Sequence, residues 1–597
     1  MKHIHGYIER WEHRLAQHEF FTRMNFGNTL EQVLSFTPYT AFVILLFQDI
    51  IRINVRLTRD PYLKKIIGRH ASEDTGHDLW FLDDLKLIFP ERQWDIGWLF
   101  SRENRPMRDA ALALCSEIYR IQDDRLRLVF VEALEATSQV YFPMMDQHLK
   151  QCGLGQGLKF FAGHHISVEE SHTLFQQEVE RQLNAIEVPD GLREEALGIV
   201  DRVFESFVLL ADGLQEHAGA VSRRRNWIPR SEEFAGKTFK EHGLTRLEPL
   251  ARASGLEPSA ALRDFGNLFA PWGERPMRKV PLWPSTLSEE HSPLEFSWSS
   301  HGGQPELRLR VEALGDNPSP ATNWAVAQQL SGRLSFEYQR SLERLRRIEE
   351  LFVPREPGAT FAMGHAMTLR PGAPPELWVF LNPQAQGAEQ APARVEEALG
   401  RLGLARSWRS LREAMLRRPK DRLLSLALEL SEGPEARVEL HAEHLDATAE
   451  DVEPVLALGQ GYASGEARRL FQMLAGEAGP ISRGAVRTSV MLSTGSEPRA
   501  VGSTLQFPVH AYADDDRVAR ERIAELLDAR ERQHYREVLS EVARRPLEAG
   551  VGLQSAVFAQ WQGTPCRMGV YLTSEAYAIR TPRNAPGQAP LSYGHGS

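Results

Sequence analysis

Cysteine is scarce: the 597 residues contain three, Cys115, Cys152 and Cys566, with no CxxC and no close pair. That excludes a thiolate zinc site and a disulfide framework, and it fits a reducing compartment, so the expected location is the cytoplasm. Long apolar runs are missing too. The most apolar stretch, Tyr39 to Phe47, is about nine residues long, against the roughly 20 that a membrane-crossing helix needs. The charged beginning MKHIHGYIERWEHRL is not a signal-peptide pattern. Positive charge is not in excess. A net charge of −10 leaves no counterion-releasing surface for nucleic acid or an anionic membrane, so neither is expected as a partner. The short run Arg223-Arg224-Arg225 reads as linker.

What is present divides into two periodicities. The length exceeds the roughly 250–300 residues at which single cores stop growing, so two domains are expected. Residues 1–225 lack alternating segments. Stretches such as TLEQVLSFTPYTAFVILLFQDIIRINVRL and DRLRLVFVEALEATSQVYF repeat apolar residues at spacings of three and four, which predicts an all-α bundle. After a linker at 226–236, residues 237–582 repeat a hairpin unit about every 65 residues, beginning PLEFSWSS and ELRLRVEAL. Five hairpins give ten antiparallel strands, enough to close a barrel with helices outside. In Arg437-Val438-Glu439-Leu440-His441 the polar residues share one parity, and Leu505, Phe507, Val509 and Ala511 alternate with Gln506, Pro508, His510 and Tyr512. With helices outside, the polar parity faces the lumen, which makes it a ligand chamber. The tail at 583–597, rich in Pro, Gly and Ser, is expected to be disordered.

The helical half carries a cluster of metal-ligating residue types. His165, Glu169 and His172 fall at i, i+4 and i+7 on one helical face, and Glu73 and Asp74 precede His77 by three or four residues. Glu132 lies in an apolar helix, where an ionised carboxylate needs a partner. Imidazoles and carboxylates without thiolates suit iron or manganese better than a structural zinc, and facing helices are where carboxylate-bridged iron pairs are built. The bland alternative is ordinary ion pairs on solvated helix faces.

On these residues and their spacing, the half resembles the haem-oxygenase-like di-iron oxidases and oxygenases, relatives of the TenA bundle. The resemblance implies His77, Glu132, His165, Glu169 and His172 as ligands, with Glu73 or Asp74 as the sixth. His70 is left as an outer group, while Glu135 and His164 fall off the ligand face by helical phase and read as outer or solvated residues. It further implies two Fe(II) ions, dioxygen and an external electron donor, since no flavin or iron–sulfur motif is visible. The substrate would be a small organic molecule, with a homodimer left open.

The barrel half resembles the tryptophan dimethylallyltransferase family of indole prenyltransferases. The matches are Pro293-Leu-Glu295-Phe-Ser297, Arg308 leading into Val311-Glu312, Arg437 in ARVELH, LQFPVHAYADDD, and Tyr571-Leu-Thr-Ser-Glu575-Ala-Tyr577. The resemblance implies the ABBA barrel, Glu295 as the catalytic group at the indole N–H, and Arg308, Arg437 and Tyr571 around an allylic diphosphate. The family's K-x-Y strand is Trp378-Val-Phe380 here, its R-x-K-x-Y strand is Arg437-Val-Glu439-Leu-His441, and a tyrosine is Gln506. Exchanging lysine for Glu439 alters the charge by two units. Each is worth about 4 kcal/mol against a phosphate at ~4 Å and an effective dielectric near 20. The resulting expectation is a di-iron oxidase whose barrel binds an aromatic substrate with weakened diphosphate affinity. An active indole prenyltransferase barrel is the alternative, and a non-catalytic scaffold the second.

Overall fold

The computed structural model describes residues 2–22, 24, 29–90, 96–101, 104–162, 188–217, 237–302, 304–355, 361–476, 479–563, 566–577 and 582. The linker at 226–236 and the tail at 583–597 lie outside them, as do His165, Glu169 and His172. The chain separates into two compact units, dividing between Asn226 and Trp227.

In the first unit the described residues form helices and no strand: α1 (Lys2–Ala16), α2 (Thr37–Leu57), α3 (Pro61–Glu73), α4 (His77–Ile88), α5 (Arg105–Arg120), α6 (Asp124–Gln151) and α7 (Asp190–His217), with shorter turns between. Local signals fix their starts. Asp60 accepts from the N–H groups of Tyr62 and Leu63 with Pro61 in the first turn, and Asp123 caps α6 through the N–H of Arg125. The helices pack through apolar stripes, α7 against α5 and α6. Trp11 stacks on Phe204 with centroids 5.5 Å apart, while Trp11 Nε1 and Tyr7 Oη donate to Asp201 at 2.9 and 2.5 Å. Arg202 forks onto Glu117 through two 2.7 Å bonds. No helix of the described residues is long and apolar enough to cross a membrane.

The second unit is the ten-stranded closed antiparallel barrel that the hairpin repeat predicts. Its strands are β1 (Leu294–His301), β2 (Gln304–Glu312), β3 (Met363–Leu369), β4 (Glu376–Leu381), β5 (Asp421–Glu429), β6 (Arg437–His444), β7 (Val486–Ser493), β8 (Gly502–Phe507), β9 (Gln554–Trp561) and β10 (Arg567–Leu572). Each pairs with its sequence neighbours, and β1 closes onto β10. β8 ends earlier than its alternation suggests, because Val509–Ala511 winds into a single 3-10 turn after Pro508. Helices cover the outside. Val438 and Leu440 on β6, Val490 and Leu492 on β7 and Leu505 on β8 are buried with apolar residues of those helices in one core.

One barrel end is shut by the segment before β1. Buried Glu312 accepts from Trp283 Nε1 at 3.0 Å, Ser285 Oγ at 2.7 Å and the Ala362 N–H at 3.1 Å. Glu290 accepts from Ser574 and Ala576 at 2.7 and 2.8 Å. Beside them, Arg545 is 1% exposed and joins Asp516, 0% exposed, to Glu575. Removing one member of a buried pair strands the other charge and costs about 3–5 kcal/mol. Arg545→Ala is therefore expected to lower barrel stability by about 3 kcal/mol or more, measured as an earlier denaturant midpoint with an unchanged slope.

Candidate functional site

Alternation along the strands carries polar side chains inward. Glu295, Ser297 and Ser299 of β1 face Arg310, Arg308 and Glu306 of β2 in register, and Ser297 also faces Tyr571 of β10. With neighbours from all the remaining strands except β5 they enclose a cavity of about 120 Å³. Its apolar lining includes Trp378 and Phe380 of β4, which pack together with Phe361, Ala366 and Ala427. Across the lumen Gly569 leaves room for the Phe558 ring, which would have to shift to admit a Cβ there.

Charge in the lumen is layered. Towards the closed end, Glu295 Oε2 lies 3.3 Å from Arg310 Nη2, which also donates to the Leu287 carbonyl at 3.1 Å. Burial raises the Glu295 carboxyl pKa, against the pull of Arg310 and Arg487. At the other end Arg370 Nε donates to Glu306 at 2.6 Å, and Arg567 contacts the same carboxylate. Glu376 is shared by Arg370 and Arg437, and Arg437 Nε reaches Glu429 at 2.9 Å. Between the layers stands Arg308. Its guanidinium is 5.6 Å from the Trp378 ring centroid and 5.5 Å from that of Phe380, while its Nε and Nη2 are buried with no hydrogen-bond partner. The nearby Glu439 is occupied by Ser489 Oγ at 2.5 Å and by His441 at 3.6 Å. Burial opposes ionisation of Glu439, but His441, Arg308 and the Ser489 hydroxyl hold its carboxyl down to about 2.

The tryptophan dimethylallyltransferase family profile matches residues 267–541. A 6-dimethylallyl tryptophan synthase of known structure is 32% identical over 59% of this chain and 100% of its own, with a TM-score of 0.54. The barrel belongs to the tryptophan dimethylallyltransferase family. The 6-dimethylallyltryptophan synthase from Micromonospora olivasterospora, solved with DMASPP and Trp, is also 32% identical, covering 58% of this chain and 100% of that one at a TM-score of 0.54. The prenyltransferase PriB, solved with L-tryptophan and dimethylallyl thiolodiphosphate, is 28% identical over 58% and 99%, at 0.52.

Within this family's barrel, Glu295, Arg308, Arg437 and Tyr571 all line the lumen. The expected loss of cationic surface does not follow from the exchanges at Trp378 and Glu439. The wall carries six arginines, Arg308, Arg310, Arg370, Arg437, Arg487 and Arg567, against four glutamates, Glu295, Glu306, Glu376 and Glu439, an excess of two positive charges. Four of those arginines escaped the motif comparison because it followed only the family's positions. The strand parity could have found them: Arg310 shares a face with Arg308, and Arg567 with Tyr571.

The helical unit has a cavity of its own, about 80 Å³, with Asp74, His77 and Glu135 among walls that include Val43, Phe47, Phe142 and Leu210. There the expectation of two Fe(II) ions and dioxygen is corrected. Among the described residues no group of three or more His, Cys, Asp or Glu could hold a metal ion. The carboxylates are matched with imidazoles instead: Asp74 with His77 at 3.6 Å, Glu132 with His5 at 3.7 Å and Glu135 with His70 at 3.7 Å. Glu73 ends α3; His165, Glu169 and His172 lie outside the described residues.

Burial alone would lower the His70 imidazolium, but Glu135, with Glu132 and Asp74, pushes it up to about 9 from 6.5. A raised imidazole pKa stabilises the fold fully below about 6.5 and ceases to do so as pH rises through about 9. Glu135→Gln is therefore expected to melt earlier than the parent at pH 6 and to match it at pH 10, by thermal unfolding.

Proposed function

We propose that the barrel transfers an allylic group of the dimethylallyl kind from its diphosphate to the ring of an indole, tryptophan being the first candidate. The observation that carries this reading is Arg308: a guanidinium in the lumen, over two aromatic rings, whose buried Nε and Nη2 have no hydrogen-bond partner although carboxylates such as Glu439 lie near enough to feel its charge. A buried cation in that state needs an anion, and a diphosphate supplies one with oxygens to spare. The relatives, dimethylallyl tryptophan synthases and a prenyltransferase solved with L-tryptophan and a thiolodiphosphate, supply the substrate pair.

The lumen offers a role for each part of the reaction. As the allylic C–O bond breaks, the electron pair leaves with the diphosphate, whose growing charge Arg308 and Arg437 are placed to take. The allylic cation left behind is stabilised by aromatic faces, here Trp378, Phe380 and Tyr571, in place of the missing tyrosines. The indole ring donates a π pair to form the new bond, then loses its ring proton. Glu295 accepts from the indole N–H, which pushes electron density into the ring, and assists that proton loss. Its burial raises its affinity for a proton and so makes it a stronger base.

We also propose a helical domain at 1–225, a linker at 226–236, the barrel at 237–582 and a tail at 583–597. For the helical domain we propose a haem-oxygenase-like arrangement of helices; the all-helical character of the unit's described elements agrees with it, and no metal chemistry is assigned to it.

Incubating the full chain with dimethylallyl diphosphate and L-tryptophan is expected to release diphosphate and give a product heavier by one dimethylallyl group, by mass spectrometry. Glu295→Gln should lower kcat by ~10²-fold or more. It should also remove an acid limb lying above the ordinary glutamate value of 4.5. Arg308→Ala should lower kcat/KM by ~10²-fold or more. Absence of product from any indole would overturn the reading.

A further inference from the structure

The end of the lumen away from Glu295 is strapped by ion pairs. Glu306 bridges Arg370 and Arg567: Arg370 Nε and Nη2 both lie 2.6 Å from its Oε2, and Arg567 Nη2 contacts its Oε1. Glu376 bridges Arg370 and Arg437 in the same way, one oxygen to each. The outer members are tied back, Arg437 to Glu429 at 2.9 Å and over the Trp378 ring at 5.0 Å, Arg567 to Ser299 Oγ at 2.7 Å. Three arginines are thus threaded on two lumen carboxylates, whose side chains are only 13% and 14% exposed. Glu306 is also next but one to Arg308 on the lumen face of β2, about 7 Å along the strand.

This arrangement has the shape of an anion site already filled. A carboxylate bridging two guanidinium groups occupies the place of a phosphoryl group bridging the same two, because both present planar or tetrahedral oxygens a little over 2 Å apart to the same N–H forks. Two such bridges share Arg370, so the strap has two carboxylates where a diphosphate has two phosphoryl groups.

We infer that Glu306 and Glu376 are internal stand-ins for the two phosphoryl groups of the donor, displaced from the three arginines when a diphosphate enters, and that they make the site selective for a leaving group with two phosphates. The inference rests on the proposed prenyl transfer for its ligand and deepens it by naming residues of opposite sign to those that bind. A single phosphate replaces one carboxylate and leaves Arg370 tied to the other. A diphosphate replaces both, and its further oxygens reach inward to the unpartnered Arg308. Burial resists the charge on Glu306, but Arg567 and Arg370 keep its pKa below the usual range, so at neutral pH it is a competing anion and not a neutral acid. The displaced carboxylates lie at the starts of β2 and β4, at the lumen end away from the closing segment.

The two roles open to these glutamates predict opposite signs. Supports that hold the arginines in place would weaken anion binding when removed; competitors would strengthen it. Calorimetric titration of the full chain with inorganic pyrophosphate and with orthophosphate reads the difference. The parent should bind pyrophosphate at least about tenfold tighter than orthophosphate. Glu306→Gln and Glu376→Gln, which keep size and hydrogen-bonding capacity, should each tighten both ligands about tenfold and narrow that preference. Unchanged or weaker pyrophosphate binding in a folded variant would overturn the inference. Thermal melting identifies any variant that fails to fold, and the other glutamate then decides alone. Prenylated indole from a chain whose variants bind pyrophosphate no better defeats this inference only. Tighter pyrophosphate binding in the variants without product from any indole defeats only the transfer reading.

Discussion

Closing ten antiparallel strands on themselves gives every side chain one of two destinations, the lumen or the helical coat. Strand alternation admits no intermediate. The coat takes Val438, Leu440, Leu492 and Leu505 into a continuous apolar core. What remains must line a chamber, and here that remainder is strongly charged. The lumen is polar because the outward parity was spent on packing the helices.

A chamber with six arginines and four glutamates must arrange its charges so that none is left to bear desolvation alone. Most are paired, and the pairs gather at the two ends: Glu295 with Arg310 near the closing segment, and Arg370, Arg437 and Arg567 with their carboxylates at the other. Arg308, in the middle, lies against aromatic faces with its buried Nε and Nη2 lacking a hydrogen-bond partner. That asymmetry divides the chamber into a region suited to an N–H donor and one suited to a large anion, with aromatic rings between them. The same division orders a reaction in which an anion leaves one side of an allylic carbon and a ring attacks from the other.

The barrel was legible because its signals are local and repeated. Each hairpin carries its own alternation and its own Gly/Pro-rich turn, so five weak signals reinforce one another. The charge of the lumen was not legible from motifs alone. The exchange of lysine for Glu439 looked decisive when taken by itself, yet Arg310, Arg487 and Arg567 lie on other strands, Arg370 just past β3, and all meet it only after closure. The helical half is a different case. Its i, i+4 and i+7 spacings put imidazoles and carboxylates on shared faces, which suits a metal and suits an ion pair equally. Asp74 and His77 lie 3.6 Å apart, Glu135 and His70 lie 3.7 Å apart across two helices, and His165, Glu169 and His172 lie outside the described residues. Spacing along a helix fixes which side chains can meet and leaves open what they meet for.

The most direct measurement is a crystal structure of the full chain with dimethylallyl thiolodiphosphate bound. The expected result places phosphoryl oxygens within about 3 Å of Arg308 Nε or Nη2, with the allylic chain against Trp378 and Phe380. An analogue bound elsewhere, or Arg308 turned onto a carboxylate with the lumen empty, would contradict the central claim that this guanidinium waits for a diphosphate.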